Sequence, residues 1–236
     1  MKIRLIADGS TKWQRMIKRW GISFLIGDDV LFDTFGDARV FLHNVKKYKI
    51  DLSKVRHVVI SHDDWDHIAG LWVVLEKYKD LKVYVVPRFK AELKDRIRSL
   101  GVTLVEVSEP MMIRDGVYTT GELAGGSGRG VLYEQALMIK QGKQLGVVTG
   151  CAHPKLPDIL RAAKDYFHQG IDIVIGGFHL KDMEPDRIKE VVEGLLKFGV
   201  SHVAPLHCTG PVAVKEFKRF YVHNYSRLRE GDSIEV

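Results

Sequence analysis

The sequence predicts an α/β fold, with apolar strands alternating with amphipathic helices along the chain. Val55 to Ile60 is an apolar run typical of a buried strand. Ile68, Leu71 and Leu75 then recur at helical spacing, which predicts a helix over Ile68 to Tyr78. Four of the predicted strands lead into histidine or acidic residues, at the position where α/β proteins place their sites. These observations predict both the fold class and a functional edge.

Strand and helix patterns alternate through the first half of the chain. Gly27-Asp28-Asp29 is a turn signal between two apolar runs, and Gly101 is a typical helix stop. Thr11 to Trp20 is polar and basic with two tryptophans, which indicates a surface loop or a short helix. The predicted strands are Ile3–Ala7, Ile22–Ile26, Val30–Phe32, Val55–Ile60, Lys82–Val86 and Thr103–Val107. The predicted helices are Ala38–Tyr48, Ile68–Tyr78 and Phe89–Leu100.

A glycine-rich stretch lies near the start of the second half. Gly121 to Gly130 contains five glycines but lacks the Lys-Ser/Thr ending of a phosphate-binding loop, so we predict a mobile loop. Gln141-Gly142-Lys143 predicts a turn between two antiparallel strands. The predicted strands are Val117–Thr120, Ala136–Lys140, Leu145–Val148, Ile171–Ile175, Ser201–Pro205 and Ser233–Val236. The predicted helices are Leu156–Phe167, Pro185–Phe198 and Val212–Tyr221.

Composition restricts the class of protein. The chain has 236 residues, is 45% hydrophobic and has no Pro/Ser-rich linker, which predicts one domain over residues 1–236. No apolar run has the length of a signal peptide or a membrane span. Two cysteines beside candidate ligands fit reduced thiols in the cytoplasm better than a disulfide framework. The net charge of +6 favours an anionic small-molecule substrate, whereas the scattered Lys and Arg residues do not indicate nucleic-acid binding. The oligomeric state stays open, a homo-oligomer included.

The segment after Ile60 holds four candidate metal ligands in six positions: His62, Asp64, Asp66 and His67. Carboxylates and imidazoles in such a cluster are costly to bury unless a cation neutralises them. On a tight turn Asp66 and His67 can converge on one cation, and His62 and Asp64 can bind a second. The alternative is that Asp64 or Asp66 is the N-cap of the following helix.

The segment resembles the His-x-His-x-Asp-His signature of the metallo-β-lactamase superfamily, with Asp64 in place of the second histidine. Thr149–Pro154, Gly176–Leu180 and Leu206–Gly210 resemble a narrower branch. Its members are labelled metal-dependent hydrolases or dihydropterin-ribofuranosyl-aminobenzene-phosphate synthase-like (dihydropteroate synthase-like) proteins. The resemblance implies a four-layer αββα sandwich.

The resemblance also implies two divalent metal ions, with three ligands each. The first metal would be held by His62, Asp64 and His153, and the second by Asp66, His67 and His207. A carboxylate in place of an imidazole favours iron or manganese, whereas a Cys151 thiolate would favour zinc. Cys151 is either a bridging ligand or a small buried residue. Asp33, at the end of a strand, is expected to hydrogen-bond the ligand segment.

These residues predict a metal-dependent hydrolase that uses a metal-activated water on an ester, phosphoester or similar anionic small molecule. Asp66 would orient the water, and His179 would hydrogen-bond the substrate or stabilise developing charge. A dihydropterin/aminobenzoate-type transferase would use the same ligands. An iron-dependent redox protein, suggested by Asp64, and a non-catalytic binding protein on the same fold are further alternatives.

Overall fold

The protein is described by a computed structural model, which covers residues 1–127 and 130–236. The strands are β1 (Lys2–Gly9), β2 (Gly21–Ile26), β3 (Val30–Phe32), β4 (His57–Val59), β5 (Lys82–Val85), β6 (Thr103–Glu106), β7 (Met111–Arg114), β8 (Val117–Thr119), β9 (Leu123–Ser127), β10 (Gly130–Glu134), β11 (Leu137–Gln141), β12 (Gln144–Thr149), β13 (Ile173–Gly177), β14 (His202–Leu206) and β15 (Ser233–Glu235). The α-helices are α1 (Lys12–Met16), α2 (Ala38–Lys47), α3 (Trp65–Ile68), α4 (Leu71–Lys77), α5 (Ala91–Ser99), α6 (Leu156–Phe167), α7 (Pro185–Lys197) and α8 (Pro211–Tyr221).

The chain divides into two compact units, and the first comprises residues 1–108 and 229–235. It contains a seven-stranded sheet of order β15-β1-β2-β3-β4-β5-β6. The β3, β4, β5 and β6 strands run parallel, and the other neighbouring strands pair antiparallel. Because Phe32 pairs in register with Val59, the residues that follow β3 and β4 lie at the same edge of the sheet.

The second unit comprises residues 109–228 and Val236. Its six-stranded sheet has the order β14-β13-β12-β11-β8-β7, and β12, β13 and β14 run parallel. Buried apolar residues of α6, α7 and α8, among them Ile159, Val192 and Phe217, form one cluster with residues of these strands. The carboxyl ends of the three parallel strands therefore share one edge, as the sequence predicted for the candidate ligands that follow them.

The helix predicted over Ile68 to Tyr78 is wrong at its start. Helix α3 already begins at Trp65, and α4 begins at Leu71. Between them, the N–H groups of Ala69 and Gly70 donate to the carbonyls of Phe35 and Thr34, at 3.1 and 3.2 Å. Since these bonds replace the helical ones, the chain turns between the two helices. Asp66 and His67 consequently lie in the short helix α3 and not on the tight turn that was predicted.

The glycine-rich stretch is also not the loop that was predicted. Leu123–Ser127 pairs antiparallel with Gly130–Glu134 as a two-stranded ribbon, with Glu134 opposite Leu123. Gly128 and Arg129 lie outside the described residues. Gly125 allows a close approach in this ribbon, because a Cβ there would lie 2.4 Å from the His153 carbonyl carbon. The ribbon thus brings Glu134 and the ligand-bearing turn after β12 together.

Thr11 to Trp20 contains the short helix that was one of two alternatives for this segment. Helix α1 begins with a capping box, in which Thr11 Oγ1 accepts from the Gln14 N–H and Gln14 Oε1 accepts from the Thr11 N–H. Among the described helices, none has both the length and the apolar character needed to cross a membrane.

Candidate metal centre

The first unit brings together the four candidate ligands of the segment after β4. His62 and His67 are buried, and their ring centroids are 4.0 Å apart. The Asp66 carboxylate lies 3.4 Å from His67 Nε2, and an Asp64 oxygen lies 4.0 Å from His62 Nε2. Imidazole nitrogens and carboxylate oxygens thus face one another in a largely buried cluster. This donor set suits a divalent cation, which would offset the cost of burying the charges.

Asp33 anchors this cluster. Its Oδ1 accepts the Ser61 N–H at 2.7 Å, and its Oδ2 accepts the Ser61 hydroxyl at 2.7 Å and lies 2.6 Å from His67 Nδ1. A carboxylate at Nδ1 holds the imidazole proton there and leaves Nε2 as the ligand atom. The hydrogen bond expected between Asp33 and the ligand segment is therefore present.

Burial and pairing act in opposite senses on the Asp33–His67 pair. Burial raises the pKa of Asp33, and the neighbouring His67 and Ser61 only partly offset this. Burial alone would lower the pKa of His67, but Asp33 and Asp66 raise it well above its ordinary value. Both directions mean that the pair keeps a proton between the two side chains.

The capping alternative does not account for the acidic residues. Asp64 occupies the N-cap position of α3, but among the described residues its side chain accepts no capping hydrogen bond. The Asp64 carboxylate therefore stays available as a ligand.

Gly21, with φ +115°, lets the backbone of β2 approach this helix, because a Cβ there would lie 1.9 Å from the Asp66 carbonyl oxygen.

The second unit presents candidate ligands after each of its three parallel strands. Cys151 and His153 follow β12, His179 follows β13, and His207 follows β14. Cys151, His153 and His207 are buried, whereas His179 is exposed. The rings of His153 and His179 lie 4.3 Å apart. The topology that the sequence predicted for these strand ends is thus present within this unit.

Glu134 is a site residue that the sequence reasoning missed. Its Oε1 accepts the N–H groups of Cys151 and Ala152 at 3.0 and 2.8 Å. Its Oε2 accepts the His153 N–H at 2.9 Å and lies 2.8 Å from His153 Nδ1. The fully buried carboxylate thereby shapes the turn and fixes the imidazole, as Asp33 does for His67. An acidic residue ending the apolar run Val131-Leu132-Tyr133 was the available signal.

Replacing Glu134 with Gln is expected to weaken binding of a divalent metal about 10–100-fold, because the His153 tautomer and orientation are no longer fixed. Calorimetric titration of the metal-free protein with Zn²⁺ and Mn²⁺ measures this change. Glu193→Gln removes an exposed carboxylate of α7 in the same unit and should leave the affinity unchanged. Equal affinities in the two variants would contradict an orienting role for Glu134.

Cys208, also missed, lies beside His179. The His179 N–H donates to Cys208 Sγ at 3.3 Å, and the thiol donates to the Cys151 carbonyl at 3.5 Å. Burial opposes ionisation of Cys208, but the Cys151 thiol, His207 and His179 together hold its pKa well below the ordinary value. In turn, a side-chain hydrogen bond to Cys208 raises the pKa of His179.

A model of a known protein family, described as "Beta-lactamase superfamily domain", matches residues 28–208. The chain belongs to the β-lactamase superfamily. It is 29% identical to 7,8-dihydropterin-6-methyl-4-(beta-D-ribofuranosyl)-aminobenzene-5'-phosphate synthase of Methanocaldococcus jannaschii, over 91% of this chain and 89% of that protein. The superfamily predicted from the sequence is therefore confirmed.

Solved structures agree on the fold. One metal-dependent hydrolase of the β-lactamase superfamily has a TM-score of 0.80 and 27% identity, over 100% of this chain and 99% of its own. A diphosphatase from the PhnP family has a TM-score of 0.63 and 15% identity, over 100% of this chain and 97% of its own. The predicted α/β, metallo-β-lactamase-like fold class is thus confirmed.

Membership of the β-lactamase superfamily, with its metal-dependent hydrolases, implies an enzyme fold that binds divalent metal. The residues fit that expectation, because each unit places a carboxylate-anchored imidazole among further donor atoms. The assignment of three ligands to each of two metal ions stays a prediction, as does the role of Cys151. The two predicted sets are His62, Asp64 and His153, and Asp66, His67 and His207.

Proposed function

We propose that this β-lactamase superfamily member is a metal-dependent hydrolase acting on an ester, phosphoester or similar anionic small molecule. The observation that carries the proposal is the buried cluster of His62, His67 and Asp66, with His67 anchored by Asp33 at 2.6 Å. Such an anchored ligand set is typical of catalytic metal sites, in which the ligand atom and its orientation are fixed in advance.

The proposed cofactors are two divalent ions: zinc, or else iron or manganese. Their proposed ligands are His62, Asp64 and His153 for one ion, Asp66, His67 and His207 for the other, and Cys151 as a bridge. Ions bound there would lower the pKa of a water molecule towards ~7 and polarise the electrophilic oxygen of the substrate. We further propose a single domain, a cytoplasmic location and no nucleic-acid partner.

The chain's own residues would orient and stabilise the reactants. The Asp66 carboxylate, 6% exposed at the surface of the cluster, would accept a proton from the attacking water and direct its lone pair. His179 is exposed and its pKa is raised, so it would donate a hydrogen bond to an anionic group of the substrate. Lys181, held through its N–H by the Cys208 carbonyl, would add a positive charge two residues away.

Chelator-treated protein is expected to lose hydrolysis of aryl phosphodiesters, aryl phosphomonoesters or lactones, and to regain it when a divalent metal is restored. Zn²⁺, Mn²⁺ and Fe²⁺ are each restored separately under anaerobic conditions. Metal analysis of each restored protein then identifies the preferred ion. Undiminished hydrolysis by a preparation shown to be metal-free would overturn the proposal.

A transferase is the second candidate, favoured by the synthase among the relatives at 29% identity. It would use the same ligands while an aminobenzoate-type amine displaces the diphosphate of a dihydropterin diphosphate, so that a C–N bond forms, the C–O bond breaks and diphosphate is released. Incubating the metal-loaded protein with both compounds, and separately with the diphosphate alone, distinguishes the two functions. A coupled pterin–amine product supports the transferase, whereas hydrolysis of the diphosphate that is indifferent to the amine supports the hydrolase. The iron-dependent redox alternative rests on the carboxylate of Asp64 alone.

A further inference from the structure

Two thiols and one imidazole meet within the second unit. The ligand atoms of Cys151, His179 and Cys208 all lie within 4.8 Å of one another. The three residues follow β12, β13 and β14, so each comes from a different strand of the parallel sheet. Both thiols are buried, at 4% and 3% exposure, and His179 is exposed.

The surrounding backbone holds this cluster in place. A Cβ at Gly177 would lie 2.7 Å from Cys208 Sγ and 3.3 Å from Cys151 Cα, so the absence of a side chain there allows the cysteines to approach. Thr209 Oγ1 donates to the Leu206 carbonyl at 2.6 Å and accepts the Phe178 N–H at 3.1 Å. These bonds tie the turn that carries Cys208 to the turn that carries His179.

We propose that Cys151, His179 and Cys208 form a binding site for a thiophilic divalent cation, with Zn²⁺ as the physiological class. Two sulfurs at about 2.3 Å from a tetrahedral zinc are separated by about 3.8 Å, which lies within the spacing of this cluster. A donor set of two thiolates and one imidazole selects soft or borderline cations over Mg²⁺ or Ca²⁺. Exposed His179 provides the route from solvent, and the fourth position stays open for water.

This site goes beyond the proposed hydrolysis, since Cys208 belongs to neither proposed ligand set and the proposed role of His179 is towards the substrate. A cation bound here engages the His179 imidazole and withdraws it from an anionic substrate. The same cation also competes for Cys151 with any bridging role that this thiolate has. The site would therefore couple the availability of a thiophilic metal to the state of the hydrolytic centre.

The test is a titration of reduced, metal-free protein with Cd²⁺ and Co²⁺, followed through thiolate-to-metal charge-transfer absorbance in the ultraviolet. Cys208 is diagnostic, because Cys151 alone could contribute absorbance from another site. Cys208→Ser should lower the absorbance at saturation by at least about half, because the Cys208 thiolate is lost and Cys151 then contributes at most from another site. It should also reduce the number of tightly bound Cd²⁺ ions per chain by one.

His179→Ala is the second variant, since an exposed side chain can be removed without opening a cavity. We expect it to weaken Cd²⁺ binding at this site at least about tenfold, because the loss of even an outer-shell group commonly has that effect. His43→Ala, which removes an exposed imidazole of α2, is the matched control and should bind as the wild type does.

A Cys208→Ser protein with the wild-type absorbance and stoichiometry would overturn the proposal. If that variant does not fold, equal Cd²⁺ affinities of His179→Ala and His43→Ala overturn it instead. The readout is absorbance, so the outcome is independent of the proposed hydrolysis. A chain without hydrolytic activity that shows Cys208-dependent absorbance still contains this site.

Discussion

Replacing His62 with Ala is expected to abolish tight binding of divalent metal and to lower hydrolysis at least about a thousandfold. Metal-ion catalysis supplies several kcal/mol of transition-state stabilisation, and about 4 kcal/mol corresponds to that factor. His62 is 1% exposed, its Nδ1 lies 2.8 Å from the Ser61 hydroxyl, and its Nε2 faces Asp64. Elemental analysis of the purified protein and kcat for the best substrate measure the two effects.

The matched control for His62→Ala is His57→Ala, which removes an imidazole from β4 of the same sheet. His57 Nδ1 lies 3.0 Å from the Tyr84 hydroxyl and not among the acidic residues of the ligand segment. We expect this variant to keep its metal and its activity. A His62→Ala protein that retains both, or a His57→Ala protein that loses both, would count against the proposed ligand set.

The predictable part of the fold is the part encoded locally. The apolar runs that became β2, β3 and β12 to β14 are continuous in the sequence, so the pattern of neighbouring residues suffices to predict that they are strands. The break between α3 and α4 could not be predicted in this way. There the His67 carbonyl accepts from the N–H and hydroxyl of Thr34, at 2.8 and 2.9 Å, a pairing between residues 33 positions apart. Such a tertiary bond decides a helix boundary that local propensity leaves undetermined.

The candidate site likewise contains residues that the sequence identifies and a residue, Glu134, that it does not. His62, Asp64, Asp66 and His67 were identifiable because they are contiguous and their types have a specific chemistry. Glu134 acts on residues 17 to 19 positions further along the chain, through a ribbon that the sequence pattern did not indicate. Its role depends on full burial and on four hydrogen-bonding contacts, which only the folded chain provides.

Several residues of the candidate site also have a strained backbone conformation. Of the ten described non-glycine residues with positive φ, four belong to the candidate site: Asp33, Ala152, His179 and His207, with φ values of +54°, +63°, +52° and +47°. A non-glycine residue in this region costs about 1–3 kcal/mol and persists only where the surrounding structure holds it. Each of the four is a candidate ligand, an anchor or a neighbour of a ligand. The fold therefore maintains unfavourable backbone conformations at the very turns that present the donor atoms.

Asp33→Ala is expected to destabilise the protein by about 3–5 kcal/mol, because it removes one partner of a buried, hydrogen-bonded pair. The Ser61 N–H, the Ser61 hydroxyl and His67 Nδ1 all lose their acceptor. Alanine also tolerates the left-handed φ of +54° less well than aspartate or asparagine does. Urea-induced unfolding of metal-free protein measures the change, so that loss of metal does not contribute to it.

Asp33→Asn separates the contribution of Asp33 to stability from its effect on the tautomer of His67. The amide oxygen can still accept from Ser61, and asparagine accepts the left-handed conformation, so we expect a smaller loss of stability than in Asp33→Ala. The amide N–H, however, would face His67 Nδ1 and force the ring proton onto Nε2, the atom needed for ligation. Metal affinity should therefore fall about 10–100-fold in a protein that folds. An Asp33→Asn variant that binds metal as the wild type does would show that the carboxylate has no role in fixing the His67 tautomer. One as unstable as Asp33→Ala would show that the amide does not replace the carboxylate as acceptor for Ser61.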